Sequence, residues 1–369
     1  MKKKLFYVGI DVDQNSFSVA IIDIYTNQET FVKCSPNAPA LISKLQKIAN
    51  PEEFDICYEA TYLGFNLQRI LNKNGFKCAV VSPSMIPEIK GKKVKTDKID
   101  AKRLAEYHMK GLLTEVHVPD EKLEMDRALI RSRTYLSKQV AALRRHILSI
   151  CQRIGWDFRQ ETNLKSYWTI KFKNWLETKI SKSSDSSLKV NLKLLLRQLL
   201  QNEQTLDLYD SEIKNLSESD DYKNKTAALV CYRGLDTISA MGVVTEIGDI
   251  NRFDHPKRLA SYSGLDIREY SSGGRELKFN ISKCGNKHLR TLVNEACQFA
   301  IRPPRIGQKL KQRRKHANIK QIEIADRCMN RLYKKSTRLL YKDKPRNKIK
   351  IACAREMLCF IWESLKVAA

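Results

Sequence analysis

Four carboxylates in the first hundred residues have the type and spacing to hold metal ions. Asp11 and Glu59 each end an apolar, β-prone stretch, while Asp97 and Asp100 lie three residues apart, on one face of a helix. Buried carboxylates are costly unless they bind cations, and their oxygens are the ligands that Mg²⁺ prefers. Two Mg²⁺ ions about 3.5–4 Å apart would stabilise the attacking and leaving oxygens of a phosphodiester exchange. We therefore predict a Mg²⁺ site at these four residues.

Each carboxylate alone is weak evidence for such a site. An Asp that follows a strand is typically a turn residue, and Asp97 would suit the first turn of any helix because of the helix dipole. Asp13 competes with Asp11 but falls in the turn after the first strand, and we interpret it as turn chemistry. The combination of all four in one domain is the more specific signal.

The elements that must position these residues alternate between strand and helix. An opening β-meander followed by alternating helices and strands predicts an α/β domain with a mixed sheet. The predicted strands are 5–12, 16–24, 30–34, 54–59 and 77–81, and the predicted helices are 38–48, 62–72 and a third from about Thr96.

Two long heptad patterns follow and predict a helical middle region. Apolar residues in one register repeat every seven positions, as do those of a second register offset by four. The first pattern comprises Leu129, Leu136, Leu143, Ile150, Val140, Ile147 and Ile154, and the second comprises Leu192, Leu199, Leu206, Ile213, Leu188, Leu195, Tyr209 and Leu216. An intramolecular helical hairpin and a dimerising coiled coil both fit these patterns.

The charge balance predicts a polyanionic partner. The 369 residues include 67 Lys and Arg against 41 Asp and Glu, a net charge of +26. Nucleic acid is the first partner to consider, and an anionic membrane surface is the second. The stretch 302–350 alone carries a net charge of +15, and its apolar residues recur as in a helix. We predict phosphate contacts there, at Arg313, Arg314 and Lys315.

Several protein classes are disfavoured by the sequence. The sequence has no run of 18 apolar residues, so no membrane-spanning helix is expected. The N-terminal apolar stretch is short and is interrupted by Asp11 and Asp13, so no signal peptide is expected. The ten cysteines form no CxxC pair, so neither a zinc ribbon nor a disulfide framework is expected. The histidines form no HExxH motif, and no P-loop is present. Reduced thiols in a cytoplasmic protein are the simplest interpretation.

The C-terminal third contains two further candidate motifs. Tyr232–Phe253 predicts two short helices around a Gly-bearing turn, a pattern that grips phosphate in some proteins and is plain packing in others. Tyr270–Arg275 is a turn sequence with two serines and two glycines, and a surface turn is its simplest interpretation. A serine hydroxyl becomes a nucleophile only when it is activated. Nearby cations could neutralise a phosphate, namely Arg275, Lys283, Lys287 and Arg290.

Taken together, these motifs resemble the DEDD-type transposases of bacterial insertion sequences (the IS-one-ten family), described as bridge-RNA-guided recombinases. The resemblance rests on GID at Gly9–Asp11, YEAT at Tyr58–Thr61, KTDKIDAKRLAE at Lys95–Glu106, and the stretches Arg233–Leu265 and Arg268–Ala296. It implies an RNase H-like (RuvC-like) N-terminal fold with Asp11, Glu59, Asp97 and Asp100 as its acidic tetrad. It also implies a serine nucleophile before a glycine, which is Ser272 here, with adjacent Ser271 as the alternative.

The resemblance further implies three regions and a mechanism. The regions are a RuvC-like catalytic domain at 1–118, a helical coiled-coil region at 119–224 and a mainly helical transposase domain at 225–369, although 156–224 matches no family motif. The expected reaction is Mg²⁺-dependent cutting and joining of DNA strands, with a covalent phosphoserine step and guidance by a structured RNA. The expected partners are donor and target DNA, that RNA and further copies of the chain as a dimer or tetramer, with no membrane.

Two other functions remain open at the level of sequence. A junction-resolving endonuclease could use the same fold and metals without serine chemistry. A non-catalytic nucleic-acid binding protein could show the same basic charge, with binding that falls steeply as salt rises.

Overall fold

The computed structural model describes most of the chain and separates it into two compact units. The N-terminal unit is Met1–Asp120 and the C-terminal unit is Glu121–Ala369. The described residues are 5–61, 63–87, 96–272, 275–315 and 317–368, without the side chains of 270–278. The three regions expected from the sequence stay a prediction.

A five-stranded mixed sheet forms the centre of the N-terminal unit. The order is β3-β2-β1-β4-β5, in which β1, β2 and β3 pair antiparallel while β4 lies parallel to β1 and β5. The strands are β1 (Phe6–Val12), β2 (Phe17–Asp23), β3 (Glu29–Cys34), β4 (Phe54–Glu59) and β5 (Lys77–Val81). The predicted mixed sheet is therefore confirmed, and it is consistent with an RNase H-like domain.

Helices cover both faces of this sheet, because successive strand residues point to opposite faces. One face, with Val8 and Ile10, packs in a core that includes Leu41 of α1 (Ala38–Gln46) and Leu71 of α2 (Asn66–Lys73). The opposite face packs against α3 (Asp97–Met109), which begins at the N-cap Thr96.

The C-terminal unit is largely helical. Its helices are α4 (Glu121–Arg153), α5 (Phe158–Thr162), α6 (Ile170–Lys182), α7 (Ser186–Ser217), α8 (Lys223–Leu229), α9 (Thr237–Ile247), α10 (Pro256–Tyr262), α11 (Lys287–Ala296), α12 (Gln308–Arg313), α13 (Ile319–Tyr341) and α14 (Arg346–Ala368). An antiparallel hairpin of β6 (Ile267–Ser272) and β7 (Arg275–Ile281) interrupts them. The basic stretch 302–350 is thus mostly helical, as predicted.

The two heptad helices, α4 and α7, pair with each other inside the chain. Arg133 forms an ion pair with Asp210 at 2.7 Å, and Arg144 forms one with Glu203 at 2.6 Å. Since the partner numbers fall as the first numbers rise, the helices run antiparallel. The structure therefore contains the intramolecular helical hairpin, while a coiled coil between copies stays a prediction.

The core of the C-terminal unit surrounds α9, whose residues 240–247 are all buried. Helices α8 and α11 pack against it, and α14 packs against both of them in one continuous cluster. All ten cysteines are free thiols. Among the described residues, no helix is both long enough and apolar enough to cross a membrane.

Candidate active site

Helix α3 lies unusually close to β1 because Gly9 has no side chain. A Cβ at Gly9 would stand 2.2 Å from the Ala101 carbonyl oxygen and 2.4 Å from the Ala105 nitrogen. Those atoms are backbone and cannot rotate away, so only glycine permits this contact. The first residue of the GID motif, Gly9, therefore allows α3 to pack closely on β1, two positions before Asp11.

Contacts along α3 fix its direction over β1. The His108 ring, near the end of the helix, lies 5.7 Å from the Tyr7 ring, and the middle of the helix lies over Gly9. The helix thus runs antiparallel to the strand, and its first turn lies toward Asp11. That turn carries Asp97, which is exposed, and Asp100, whose carboxylate pairs with Arg103 at 3.6 Å.

The register of the sheet brings Glu59 to the same edge. Strands β1 and β4 are parallel and pair Ile10 with Tyr58, so Asp11 and Glu59 follow at neighbouring carboxyl ends. Both point to the face that α3 covers, as the Cys57 thiol, two residues before Glu59, bonds to the Leu104 carbonyl at 3.5 Å. Asp11 and Glu59 therefore lie at one edge of the sheet, on the face that α3 covers, and the first turn of α3 carries Asp97 and Asp100 toward that edge.

These four side chains fit a hard divalent cation, since all of them supply carboxylate oxygens. Within the described part of the chain, however, no three His, Cys, Asp or Glu side chains gather closely enough to hold a metal ion. Residues 88–95, which precede α3, lie outside the described residues. The metal-ligand role of the four carboxylates remains a prediction.

Comparison with known proteins gives the family. A transposase family model of the DEDD IS110 type matches residues 8–155, and the model described as "Transposase IS116/IS110/IS902 family" matches residues 227–312. The relative y4qE of Sinorhizobium fredii is 30% identical over 360 residues, which cover 96% of this chain and 87% of the relative. The chain belongs to the IS110 family of DEDD-type transposases.

Two further relatives are described as transposases of insertion sequences. The "Transposase for insertion sequence element IS1533" of Leptospira borgpetersenii is 26% identical over 349 residues, or 93% of this chain and 99% of the relative. The "Transposase for insertion sequence element IS1111A" of Coxiella burnetii is 25% identical over 234 residues, which cover 62% of this chain and 60% of the relative. The protein is therefore an enzyme that acts on DNA, and domains of the DEDD type are typically dependent on divalent metal.

The serine motif of the transposase lies at the end of a β-hairpin. The backbone of Ser271 and Ser272 ends β6, and Ser272 pairs with Arg275 at the start of β7. Gly273 and Gly274, between the strands, lie outside the described residues, as do the side chains of both serines and Arg275. The sequence predicted the turn but not the strands beside it, and the nucleophile remains a prediction.

A buried polar network lies between α4, α9 and α11, and sequence reasoning missed it. Glu246 is 2% exposed, and Arg131 donates to both of its carboxylate oxygens at 2.8 Å. Asn286, the N-cap of α11, donates to the same carboxylate at 2.7 Å and to the Tyr262 hydroxyl at 3.2 Å. The available signal was an ionisable Glu246 inside an otherwise apolar helix, within the stretch matched to the family.

Charge and burial in this network shift two titratable groups. Burial raises the pKa of the Glu246 carboxyl, but the hydrogen bonds from Arg131 and Asn286 outweigh it, so the pKa lies below its ordinary value. Burial, followed by the charge of Arg131, lowers the pKa of the His288 imidazole. His288 is therefore held toward its neutral form beside Lys287 at the start of α11.

The predicted phosphate-binding cations after the hairpin occupy different environments. The Lys283 and Lys287 side chains are exposed, so a phosphate in solution can reach them. Arg290 is partly buried and donates to the Ser263 carbonyl at 2.6 Å. That bond holds the turn at Gly264, where the backbone has φ of 67° and a Cβ would collide with the guanidinium.

The three cations predicted in the tail also differ. Arg314 is 7% exposed; it donates to the Cys231 carbonyl at 3.0 and 2.8 Å and pairs with Asp326 at 2.8 Å. Arg313 donates to the Leu235 carbonyl at 2.5 Å, whereas Lys315 is exposed. Arg314 therefore occupies a structural position, because its guanidinium is enclosed and bonded to the Cys231 carbonyl.

The stretch Tyr232–Phe253 forms α9, with Gly234 before it and Gly248 after it, and the phosphate grip there stays a prediction. Gly234 has φ of 97°, as the turn requires. The following N-terminus of α9 is capped by Asp236, whose carboxylate accepts from the Ser239 nitrogen at 2.9 Å. An anion of the chain itself already occupies that helix end.

Proposed function

We propose that this transposase cuts and joins DNA strands by transesterification, with Asp11, Glu59, Asp97 and Asp100 holding Mg²⁺ and Ser272 acting as nucleophile. The observation that carries the proposal is the placement of these four carboxylates at one edge of the sheet. Two bound Mg²⁺ ions would stabilise negative charge on the attacking and leaving oxygens. Asp100 would exchange its ion pair with Arg103 for the cation.

The serine step is a balanced phosphoryl transfer. The Ser272 Oγ attacks the scissile phosphorus, its proton passes to water, and the phosphorus–oxygen bond to the departing strand breaks. A phosphoserine bond remains until the hydroxyl of a partner strand attacks the same phosphorus and releases the serine. Each bond broken is replaced by an equivalent bond, so no nucleotide triphosphate is required. Cations near the hairpin, including exposed Lys283 and Lys287, support phosphate binding.

The proposed partners are donor and target DNA, a structured guide RNA and further copies of the chain. The net charge of +26 supports binding to phosphate backbones. The acidic tetrad and the serine belong to different units of the chain, so we further propose that protomers complete each other's sites.

A denaturing gel that traps protein–DNA adducts tests this proposal. Purified protein, Mg²⁺, RNA transcribed from the flank of the element, and labelled donor and target DNA are mixed. We expect a covalent adduct with wild type that disappears in Ser272→Ala and in Asp11→Asn. Ser271→Ala and Asp13→Asn are the matched controls, since Asp13 is a turn carboxylate that accepts from the Asn15 nitrogen.

The same gel separates the alternative mechanism. Free cleaved ends without an adduct, unchanged in Ser272→Ala but lost in Asp11→Asn, would point to a metal-dependent nuclease without serine chemistry. Loss of the adduct in Ser271→Ala alone would identify Ser271, and not Ser272, as the nucleophile.

A further inference from the structure

Aromatic residues are concentrated in one short stretch that matched no family motif. Three of the four tryptophans of the chain lie between residues 156 and 175, together with Phe158, Tyr167 and Phe172. The stretch forms the end of α4, α5 and the first half of α6. Phe158 and Phe172 are buried in the local core, at 1% and 0% exposure. Trp156, Tyr167 and Trp175 pack against this core but are only partly buried, so part of each ring stays open to solvent.

These partly buried rings border a cavity of about 280 Å³. A single water needs only about 10–15 Å³ of such space, so the cavity has room for a planar ring system. Four aromatic rings and two glutamine amides line the cavity, namely Trp156, Tyr167, Phe172, Trp175, Gln152 and Gln160. The two glutamine amides each offer donors and an acceptor, which is what the edge of a nucleobase requires.

The aromatic walls are held rigidly in place. The Trp175 ring lies 5.6 Å from Phe172, at an interplanar angle of 34°, and 5.3 Å from Phe158. Its indole nitrogen donates to a Glu161 carboxylate oxygen at 3.0 Å, and the same carboxylate pairs with Lys179 at 2.8 Å. A wall whose orientation is fixed before binding costs little ordering entropy when a ligand stacks on it.

Cations stand beside the same rings. The Arg159 guanidinium lies 4.6 Å from the centre of the Tyr167 ring, and the Lys179 ammonium lies 5.9 Å from Trp156 and from Trp175. The stretch 151–182 has a net charge of +4. Aromatic platforms interleaved with positive charge are the arrangement with which proteins bind single-stranded nucleic acid, through base stacking and phosphate contact.

We propose that this cavity, the aromatic pocket at the end of α4, receives an unpaired nucleobase of a bound nucleic-acid strand. The base stacks on the Tyr167 and Trp175 rings, Gln152 and Gln160 bond to its edge, and Arg159 meets a flanking phosphate. The inference rests on the proposed function in one respect, that the partner is a nucleic acid. It does not depend on the metal site or on the serine.

Fluorescence anisotropy with the full-length protein tests the pocket. The probes are labelled single strands of RNA and of DNA, about 12 nucleotides long, and the duplex of the same sequence. We expect Tyr167→Ala to weaken binding of a single strand roughly 5- to 150-fold, the range that one stacked base contributes. Tyr167→Phe keeps the ring and should keep the affinity. The probe that loses affinity, RNA or DNA, identifies the source of the base.

Tyr135→Ala is the matched control, because Tyr135 is 66% exposed on α4 and lies outside the pocket. Photocrosslinking of strands that carry 5-iodouracil, followed by peptide mapping, gives a readout with unaltered protein. We expect crosslinked peptides from 152–175. The inference is overturned if Tyr167→Ala weakens binding no more than Tyr135→Ala does, or if crosslinks lie elsewhere. These binding assays are run without Mg²⁺ and measure no strand cleavage, so failure of the catalytic proposal remains distinguishable.

Discussion

At the scale of single residues, Gly9 determines how closely α3 approaches β1, and so how closely the proposed ligands can approach one another. Its missing side chain lets the backbone of α3 approach β1, and the first turn of that helix carries Asp97 and Asp100. Asp11 stands two positions further on the strand, on the same face. Gly9 thus sets the separation between Asp11 and the two aspartates of α3, which are proposed ligands.

We predict that Gly9→Ala lowers both the yield of strand transfer and the free energy of unfolding. The new Cβ would overlap backbone atoms of Ala101 and Ala105, so α3 must move away, at a cost of about 1–3 kcal/mol for an overpacked core. Urea unfolding measures the stability and the adduct gel measures the activity. Gly307→Ala is the control, since a Cβ there meets nothing within 4 Å. Wild-type activity in Gly9→Ala would contradict this role.

At the scale of elements, Glu246 connects three helices through its carboxylate. It lies on α9, accepts from Arg131 of α4 and from Asn286 at the start of α11, and Arg127 of α4 lies 3.6 Å away. Asn286 also closes the turn that follows the β6–β7 hairpin, as its backbone nitrogen donates to the Tyr262 carbonyl at 2.7 Å. The network therefore fixes the base of the hairpin that carries the serines.

The Glu246 carboxylate gives the stability of the C-terminal unit a defined pH dependence. Because its folded pKa lies below the ordinary value of 4.5, its contribution is complete above the unfolded pKa and is lost as pH falls toward the folded pKa. We predict that Glu246→Gln lowers the free energy of unfolding by roughly 3 kcal/mol at pH 7, as expected for a broken buried pair. The loss should shrink between pH 5 and pH 3.

Urea unfolding at several pH values measures this dependence. Asp254→Asn is the control, because its ion pair with Arg258 is 67–71% exposed and should contribute less than about 1 kcal/mol. A pH-independent difference between wild type and Glu246→Gln would contradict a charged Glu246 in the folded state.

The sequence predicted elements better than it predicted which polar residues lie inside. The apolar, β-prone stretch 5–12 and the heptads between Leu129 and Ile154 are local signals. The structure has β1 at Phe6–Val12, and α4 (Glu121–Arg153) contains all but the last of those heptad positions. Arg314 had no such signal, and Glu246 had only that of an ionisable residue in a mostly apolar helix. A charged residue is enclosed only when distant segments fold around it. The partners of Arg314, Cys231 and Asp326, lie 83 and 12 residues away along the chain. Gly9 was identified only through its motif, because the helix that it admits begins 88 residues later.

At the scale of the whole molecule, the position of a charge decides whether it serves binding or folding. The net charge of +26 is a property of the sequence, but an arginine that is enclosed and bonded to carbonyl groups cannot release counterions from a nucleic acid. Adjacent residues separate the two roles in the tail: Arg314 faces the interior, while Lys311 and Lys315 are exposed. The salt dependence of binding should therefore follow exposure and not the number of cations.

We predict opposite effects for substitutions at these neighbouring sites. Changing Lys311 and Lys315 to Gln should lower the slope of log affinity against log salt on duplex DNA by about 1.8, because each phosphate contact contributes about 0.9. The melting temperature of this double variant should stay near that of wild type.

Arg314→Gln should lower the melting temperature, since it leaves Asp326 and the Cys231 carbonyl without their partner, and should leave the slope unchanged. Anisotropy titrations between 50 and 200 mM salt measure the slope. A slope that falls in Arg314→Gln and not in the double lysine variant would place the nucleic acid on another surface.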